Sequence, residues 1–232
     1  MPNPTKVIPR LYPILDAGSF ATGDAVISAA RELVAAGCTL LQYRNKPDNA
    51  RVMLEQAMKL KRVLRPEARD SHFSQRQGEV EHPQSDGGGS SLKLIMNDRA
   101  DLCLAAEFDG IHIGQDDLSP EGARAILGPN RWLGVSTHNP EQLREADLTS
   151  ADYLAIGPVF ATTSKEKPDP VVGLEGVRRA RNLTHKPLVA IGGITRTNAA
   201  SVIEAGADSV AVISDVTKDP RKSAEEFFRI LG

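Results

Sequence analysis

Several short stretches of this sequence carry side chains whose types and spacing suit phosphate chemistry. In Gln42-Tyr43-Arg44-Asn45-Lys46, an extended backbone points Gln42, Arg44 and Lys46 to one side, so one amide and two cations face together. That set suits a polyanion such as pyrophosphate. Solvated charges at an ordinary strand end would explain one cation more easily than this alternating group. Further along stand Asn97-Asp98 and Gly114-Gln115-Asp116-Asp117. Two carboxylates joined by diphosphate oxygens make a natural Mg²⁺ site, because magnesium prefers hard oxygen ligands and uses few from the protein. Asp98 and Asp117 are the expected ligands, with Asp116 turned away or capping the next helix. The competing reading makes both acids simple helix caps, where Asp is favoured.

The second half adds hydroxyls and glycines. Gly134-Val135-Ser136-Thr137-His138 offers Ser136 as a hydrogen-bond donor and His138 as a proton carrier or phosphate contact. No Gly-x-Ser-x-Gly elbow occurs, which argues against a nucleophilic serine. Gly157 through Lys165 reads as a flexible loop in which Thr162, Ser164 and Lys165 could close over an anion. A plain surface loop has a similar composition. Gly192-Gly193 exposes backbone amides, and Ile213-Ser214 ends the last apolar run. Together they suggest a phosphate cradle at helix starts. Neither a Walker A loop nor a dinucleotide fingerprint is present.

Something must hold these stretches at one place. A recurring beat supplies it: a helical pattern, a short turn bearing Gly or Asp, then a brief apolar run. It appears at 33–44, 104–115 and 202–214, and less closely at 145–160. Eight candidate strands fall at 11–15, 38–44, 92–97, 109–113, 131–136, 152–156, 187–191 and 208–213. Helical patterns follow each, near 22–35, 49–65, 99–106, 120–127, 140–146, 173–183, 196–205 and 219–231. Such alternation indicates βαβ units and a parallel sheet. Eight pairs predict one (β/α)₈ barrel over 1–232, with the chemistry at the C-terminal strand ends. A doubly wound open sheet is the competing architecture. Residues 66–91 break the beat, with Ala68, Phe73 and Val80 as their only apolar side chains. They read as a mobile polar insertion opposite the active end, with His72 and His82 solvated.

Composition narrows the classes further. The chain has 232 residues, is 41% hydrophobic and 25% charged, and carries 28 basic against 30 acidic side chains, for a net charge of −2. This balance fits a soluble globular protein and gives no global footprint for nucleic acid or an anionic membrane. No apolar run reaches the length of a membrane span, and the N-terminus lacks a signal core. The two cysteines, Cys38 and Cys103, lie in apolar stretches without metal-ligand spacing. They read as buried thiols of a cytoplasmic protein.

The motifs LYPILD, QYRNK, LIMNDRADL, DGIHIGQDDL, GVSTH, DYLAIGPVFATTSK, PLVAIGGI and GADSVAVIS, in this order, resemble the thiamine-phosphate synthase family. The resemblance implies a (β/α)₈ barrel that joins 4-amino-2-methyl-5-pyrimidinylmethyl diphosphate to a thiazole monophosphate. It implies that Gln42, Arg44, Lys46 and Asn97 hold the pyrimidine diphosphate and that Asp98 and Asp117 bind Mg²⁺. Ser136, Thr162, Ser164 and Lys165 look like further diphosphate and thiazole-phosphate contacts, and Gly193, Ile213 and Ser214 like the thiazole-phosphate cradle. Arg44, Lys46, Ser136 and Lys165 are the residues expected to act on the departing group. The partners implied are small molecules, with homo-oligomerisation left open. Two departures stand out: Tyr43 where leucine is common, and the length of the 66–91 link. A thiazole tautomerase or a non-catalytic thiazole-phosphate-binding barrel is the alternative; neither needs the full diphosphate–magnesium set.

Overall fold

Residues 6–65, 92–162 and 169–232 are described by the computed structural model of the chain. The 66–91 insertion, together with Ser164 and Lys165, lies outside the described residues. Eight parallel strands close into a barrel in sequence order. They are β1 (Leu11–Asp16), β2 (Leu40–Arg44), β3 (Lys93–Asn97), β4 (Gly110–Ile113), β5 (Trp132–Thr137), β6 (Tyr153–Ile156), β7 (Leu188–Ile191) and β8 (Ser209–Val212). The helices are α1 (Gly23–Ala35), α2 (Ala50–Leu64), α3 (Ala100–Ala105), α4 (Pro120–Leu127), α5 (Pro140–Asp147), α6 (Gly173–Leu183), α7 (Ala199–Glu204) and α8 (Pro220–Leu231). Closure between β1 and β8 excludes the open sheet.

Alternation along each strand makes two cores. Leu11, Leu41, Leu94, Ile111, Leu133 and Leu154 face outward under the helices. Tyr12, Ile14, Leu40, Ile95, Val189 and Ala211 fill the lumen. Because both faces are buried, the strands read as almost continuous apolar runs. Helix starts are fixed locally: Ser119, Asn139 and Asp219 each accept a backbone N–H ahead of a proline in the first turn.

The floor of the barrel carries a repeated clamp. Asp109, Asp152 and Asp208 stand just before β4, β6 and β8. Each accepts the backbone N–H of a leucine in the first or second position of the preceding strand: Leu94 at 2.8 Å, Leu133 at 2.8 Å and Leu188 at 2.7 Å. An arginine in or directly after the helix before that strand completes each clamp: Arg65 to Asp109, Arg124 to Asp152 and Arg181 to Asp208. This explains the recurring Asp-bearing turns of the sequence. Among the described residues no such side-chain clamp joins β1 to β2. Lys6 crosses the floor instead, reaching Asp152 at 2.9 Å and the Arg131 carbonyl at 3.0 Å, with Ile8 buried beside it.

Candidate functional site

The C-terminal ends of the strands surround a cavity of about 990 Å³. That is room for a drug-sized ligand and more. It collects Gln42, Arg44 and Lys46 from the end of β2, as their alternation requires. The intervening Tyr43 points outward, where its hydroxyl lies 2.5 Å from Gln56 Oε1 and accepts from Asn45 Nδ2 at 2.9 Å. Tyr43 therefore stays outside the ligand space, and its difference from leucine leaves the cavity untouched. Arg44 is paired with the buried Asp16 at the end of β1, which also accepts from Gly18 N at 3.3 Å. The guanidinium is thus held in place before any ligand arrives.

Asp98 and Asp117 meet across the ends of β3 and β4. Lys46 Nζ lies 3.3 Å from Asp98 Oδ2, and Asp117 Oδ2 accepts from Gly114 N at 2.7 Å. Burial, reinforced by the neighbouring Asp117 carboxyl, pushes the Asp98 carboxyl up to about 6. Two acids forced together in this way favour a proton or a cation between them. Neither is a helix cap. Arg99 occupies the cap position of α3 without a side-chain bond, and Ser119 caps α4. Asp98 adopts φ 59°, with its N–H donating to the His112 carbonyl at 2.8 Å. Asp116 lines the cavity and is exposed. No group of three or more His, Cys, Asp or Glu gathers among the described residues. What the described residues could offer a cation here is two carboxylates, Asp98 and Asp117.

On the far wall, Gly192 (φ 100°) and Gly193 (φ 63°) turn the chain after β7. A methyl group at either position would overlap the β6 loop, at Pro158 or at the Ala161 carbonyl. Only glycine combines this left-handed backbone with that close approach. Arg196 then grips Asp215 with Nε and Nη2, both at 3.1 Å, tying the β7 loop to the β8 loop beside Ser214. Gly193, Ile213, Ser214 and Thr162 all line the cavity, as does Asn97. His138 is held between the Gly157 carbonyl (2.6 Å from Nδ1) and Asp169 (3.5 Å from Nε2).

The sequence reading missed Asp16, Asp169 and the lumen residues Tyr12, His112 and Tyr153. Ser136 sits above these last three, with its Oγ 2.8 Å from His112 Nε2 and its carbonyl accepting from Gln115 Nε2 at 2.6 Å. Alternation gave one available signal for His112: in Gly-Ile-His-Ile-Gly the isoleucines face out, so the histidine must face the lumen. Full burial pulls its pKa down to about 4, so the imidazole is neutral at physiological pH.

Comparison with known proteins agrees with this geometry. The family model described as thiamine monophosphate synthase matches residues 80–216. A thiamine-phosphate synthase of Koribacter versatilis is 55% identical over 227 residues, covering 97% of this chain and 96% of the relative. One of Chloroflexus aurantiacus is 41% identical over 209 residues, covering 89% and 84%. The solved thiamine phosphate pyrophosphorylase of Pyrococcus furiosus superposes with a TM-score of 0.76 at 32% identity, covering 96% of this chain and 95% of that one. On these matches, the chain belongs to the thiamine-phosphate synthase family.

Proposed function

We propose that this enzyme joins 4-amino-2-methyl-5-pyrimidinylmethyl diphosphate to 4-methyl-5-(2-phosphoethyl)thiazole, or its carboxylated form, giving thiamine monophosphate and pyrophosphate, with CO₂ also released from the carboxylated form. The observation that carries the reading is the meeting, in one cavity, of the Arg44–Lys46 row, the Asp98–Asp117 pair and the Gly192–Gly193 turn. Two anionic groups thus have separate reception sites on opposite walls. A barrel that bound thiazole phosphate alone would leave the first two features without a task.

The close carboxylates of Asp98 and Asp117 fit Mg²⁺, whose remaining ligands would come from diphosphate and water. When bound, the ion would neutralise charge developing on the departing diphosphate. Arg44 and Lys46 act on the same charge, and Lys165 joins them in this reading. Ser136 donates to the diphosphate, with Gln42 and Asn97 as its other neighbours. The electron-rich aminopyrimidine stabilises the methylene cation left behind. Gly193, Ile213 and Ser214 anchor the thiazole phosphate so that the ring nitrogen is held for attack. Thr162 and Ser164 complete the phosphate contacts. No covalent protein intermediate is required.

The same proposal includes a cytoplasmic location, supported by the buried free thiols of Cys38 and Cys103. No helix among the described residues is long and apolar enough to cross a membrane. Incubating the purified protein with both substrates and Mg²⁺ should yield thiamine monophosphate and pyrophosphate in equal amounts. No product would overturn the assignment, and full activity in excess chelator would overturn the metal's part in it.

A further inference from the structure

Beneath the cavity, a row of polar side chains crosses the lumen, and its three interior members have no task in the chemistry above. Gln42 Nε2 donates to Tyr12 Oη at 3.0 Å, and Tyr12 Oη lies 3.0 Å from Tyr153 Oη. Tyr153 Oη lies 3.1 Å from His112 Nδ1, and His112 Nε2 lies 2.8 Å from Ser136 Oγ. The row draws on five strands. Apolar side chains could fill this space without the cost of burying hydroxyls and an imidazole.

The backbone also makes room for it. His112 pairs with Gly134 on β5, and Gly134 pairs with Tyr153 on β6. A methyl group at Gly134 would overlap both the Tyr153 ring and His112 Nδ1. The absent side chain therefore lets the imidazole and the phenol stack across the intervening strand, with ring centroids 5.5 Å apart and planes at 27°.

Counting donors fixes the direction. Tyr12 Oη accepts from Gln42 and has Tyr153 Oη as its other partner in the row, so a row with every proton satisfied sends the Tyr12 proton to Tyr153 Oη and the Tyr153 proton to His112 Nδ1. His112 then carries its proton on Nε2 and donates it to Ser136 Oγ. The reverse direction would leave the Tyr12 proton without an acceptor among the described residues. It would also turn the Ser136 proton inward onto His112, the arrangement of a serine nucleophile.

We propose that His112 is a positioning residue: its Nε2–H, fixed by the Tyr153 hydroxyl on Nδ1, holds the Ser136 oxygen and leaves the Ser136 proton free for a diphosphate oxygen. This rests on the reading that Ser136 contacts the diphosphate. Tyr12 and Tyr153 connect the setting of Ser136 to that of Gln42, so two contacts on different walls are set by one row.

The tautomer comes first, measured on the unmodified enzyme by ¹⁵N NMR of its imidazoles, with the H112Q spectrum identifying the signal. A protonated Nε2 and bare Nδ1 are expected, with Nε2 preference weakened in Y153F; an Nδ1–H tautomer in the unmodified enzyme overturns the proposal. Kinetics then separate the role from mere packing. Glutamine can place its amide near the Nε2 position and asparagine near Nδ1. H112N should therefore lose about three- to tenfold in kcat/KM for the pyrimidine diphosphate, with the KM for thiazole phosphate unchanged, and H112Q should recover part of that loss. In an S136A background the two variants should become equal, because the group they position is gone. Equal losses for both variants when Ser136 is present would overturn the positioning role. Unchanged kinetics for S136A alone would overturn the Ser136–diphosphate reading beneath it, and the proposal with it.

Discussion

Lys46 Nζ lies 3.3 Å from Asp98 Oδ2, so a cation expected to hold diphosphate and an acid expected to hold Mg²⁺ hold each other in the free enzyme. In the proposed reading, Lys46 turns to the diphosphate and Asp98 to Mg²⁺ when both are bound. D98A and D117A should each lower turnover by about 10²-fold or more while leaving the circular dichroism spectrum unchanged. Turnover within twofold of the unmodified enzyme would remove the two acids from the chemistry.

Arg44 and Lys46 belong to the wall opposite the glycine turn, so their losses should be selective for one substrate. R44A and K46A are expected to raise the KM for the pyrimidine diphosphate about tenfold or more, with the KM for thiazole phosphate little changed. D16N removes the anion that holds Arg44 and should give a smaller loss of the same kind. Steady-state kinetics with each substrate varied in turn checks all three, and equal effects on both substrates would point to general damage.

The converse selectivity belongs to Gly193. At φ 63° an alanine is strained by about 1 kcal/mol or more, and its methyl would also meet the Ala161 carbonyl. G193A should raise the KM for thiazole phosphate several-fold and lower the melting temperature. An unchanged KM for that substrate would remove this turn from the phosphate cradle.

Acid should weaken the fold through His112. Its folded pKa is about 4 against an ordinary 6.5, so the unfolded chain takes up a proton first as pH falls. The stability tied to the neutral ring is complete above 6.5 and is lost down to about 4, amounting to about 3 kcal/mol at most. Asp98, raised from 3.8 to about 6, acts in the opposite sense over much of the same range. The comparison must therefore be with H112N, in metal-free buffer. Denaturant unfolding should show the gap between the two proteins shrinking from pH 7.5 to 4.5, and a constant gap would contradict the linkage.

The segment 66–91 lies outside the described residues, but its two flanks meet. The Arg65 guanidinium donates to the Leu92 carbonyl and to Asp109 on the barrel floor. A short Gly-containing link can therefore span them, and the active end lies at the opposite rim. Replacing the segment should leave kcat/KM within about twofold and cost little stability. A large activity loss in the shortened protein would show a role for the segment in the chemistry.

The barrel was legible because its cause is local and repeated: apolar runs of strand length, capped helix starts such as Asn139-Pro140, and the Asp-bearing turns that proved to be clamps. The rim residues were legible for a related reason. Each side chain of the Gln42–Arg44–Lys46 row follows its own strand, so alternation alone aims it. What escaped was pairing across distance. Asp16 acts through Arg44, 28 residues away, and Tyr12 through Tyr153, 141 residues away. A tyrosine in an apolar strand looks the same whether its hydroxyl meets water or a second phenol. Only closure of the ring brings such partners together.

The floor clamps also bear on how the ring is put together as the chain emerges from synthesis. Each fastens a neighbouring pair, β3 with β4, β5 with β6 and β7 with β8, using residues that lie within about forty-five positions of one another. Every pair can therefore be fastened soon after its second strand appears. Among the described residues the first pair has no such side-chain fastening, and β1 must also find β8 at the far end of the barrel order. The ring can therefore shut only after β8 has been made, at a seam whose rim lies beside Asp16. A chain still lacking β8 also lacks Ile213 and Ser214, so the cavity at the rim is incomplete until synthesis is nearly finished.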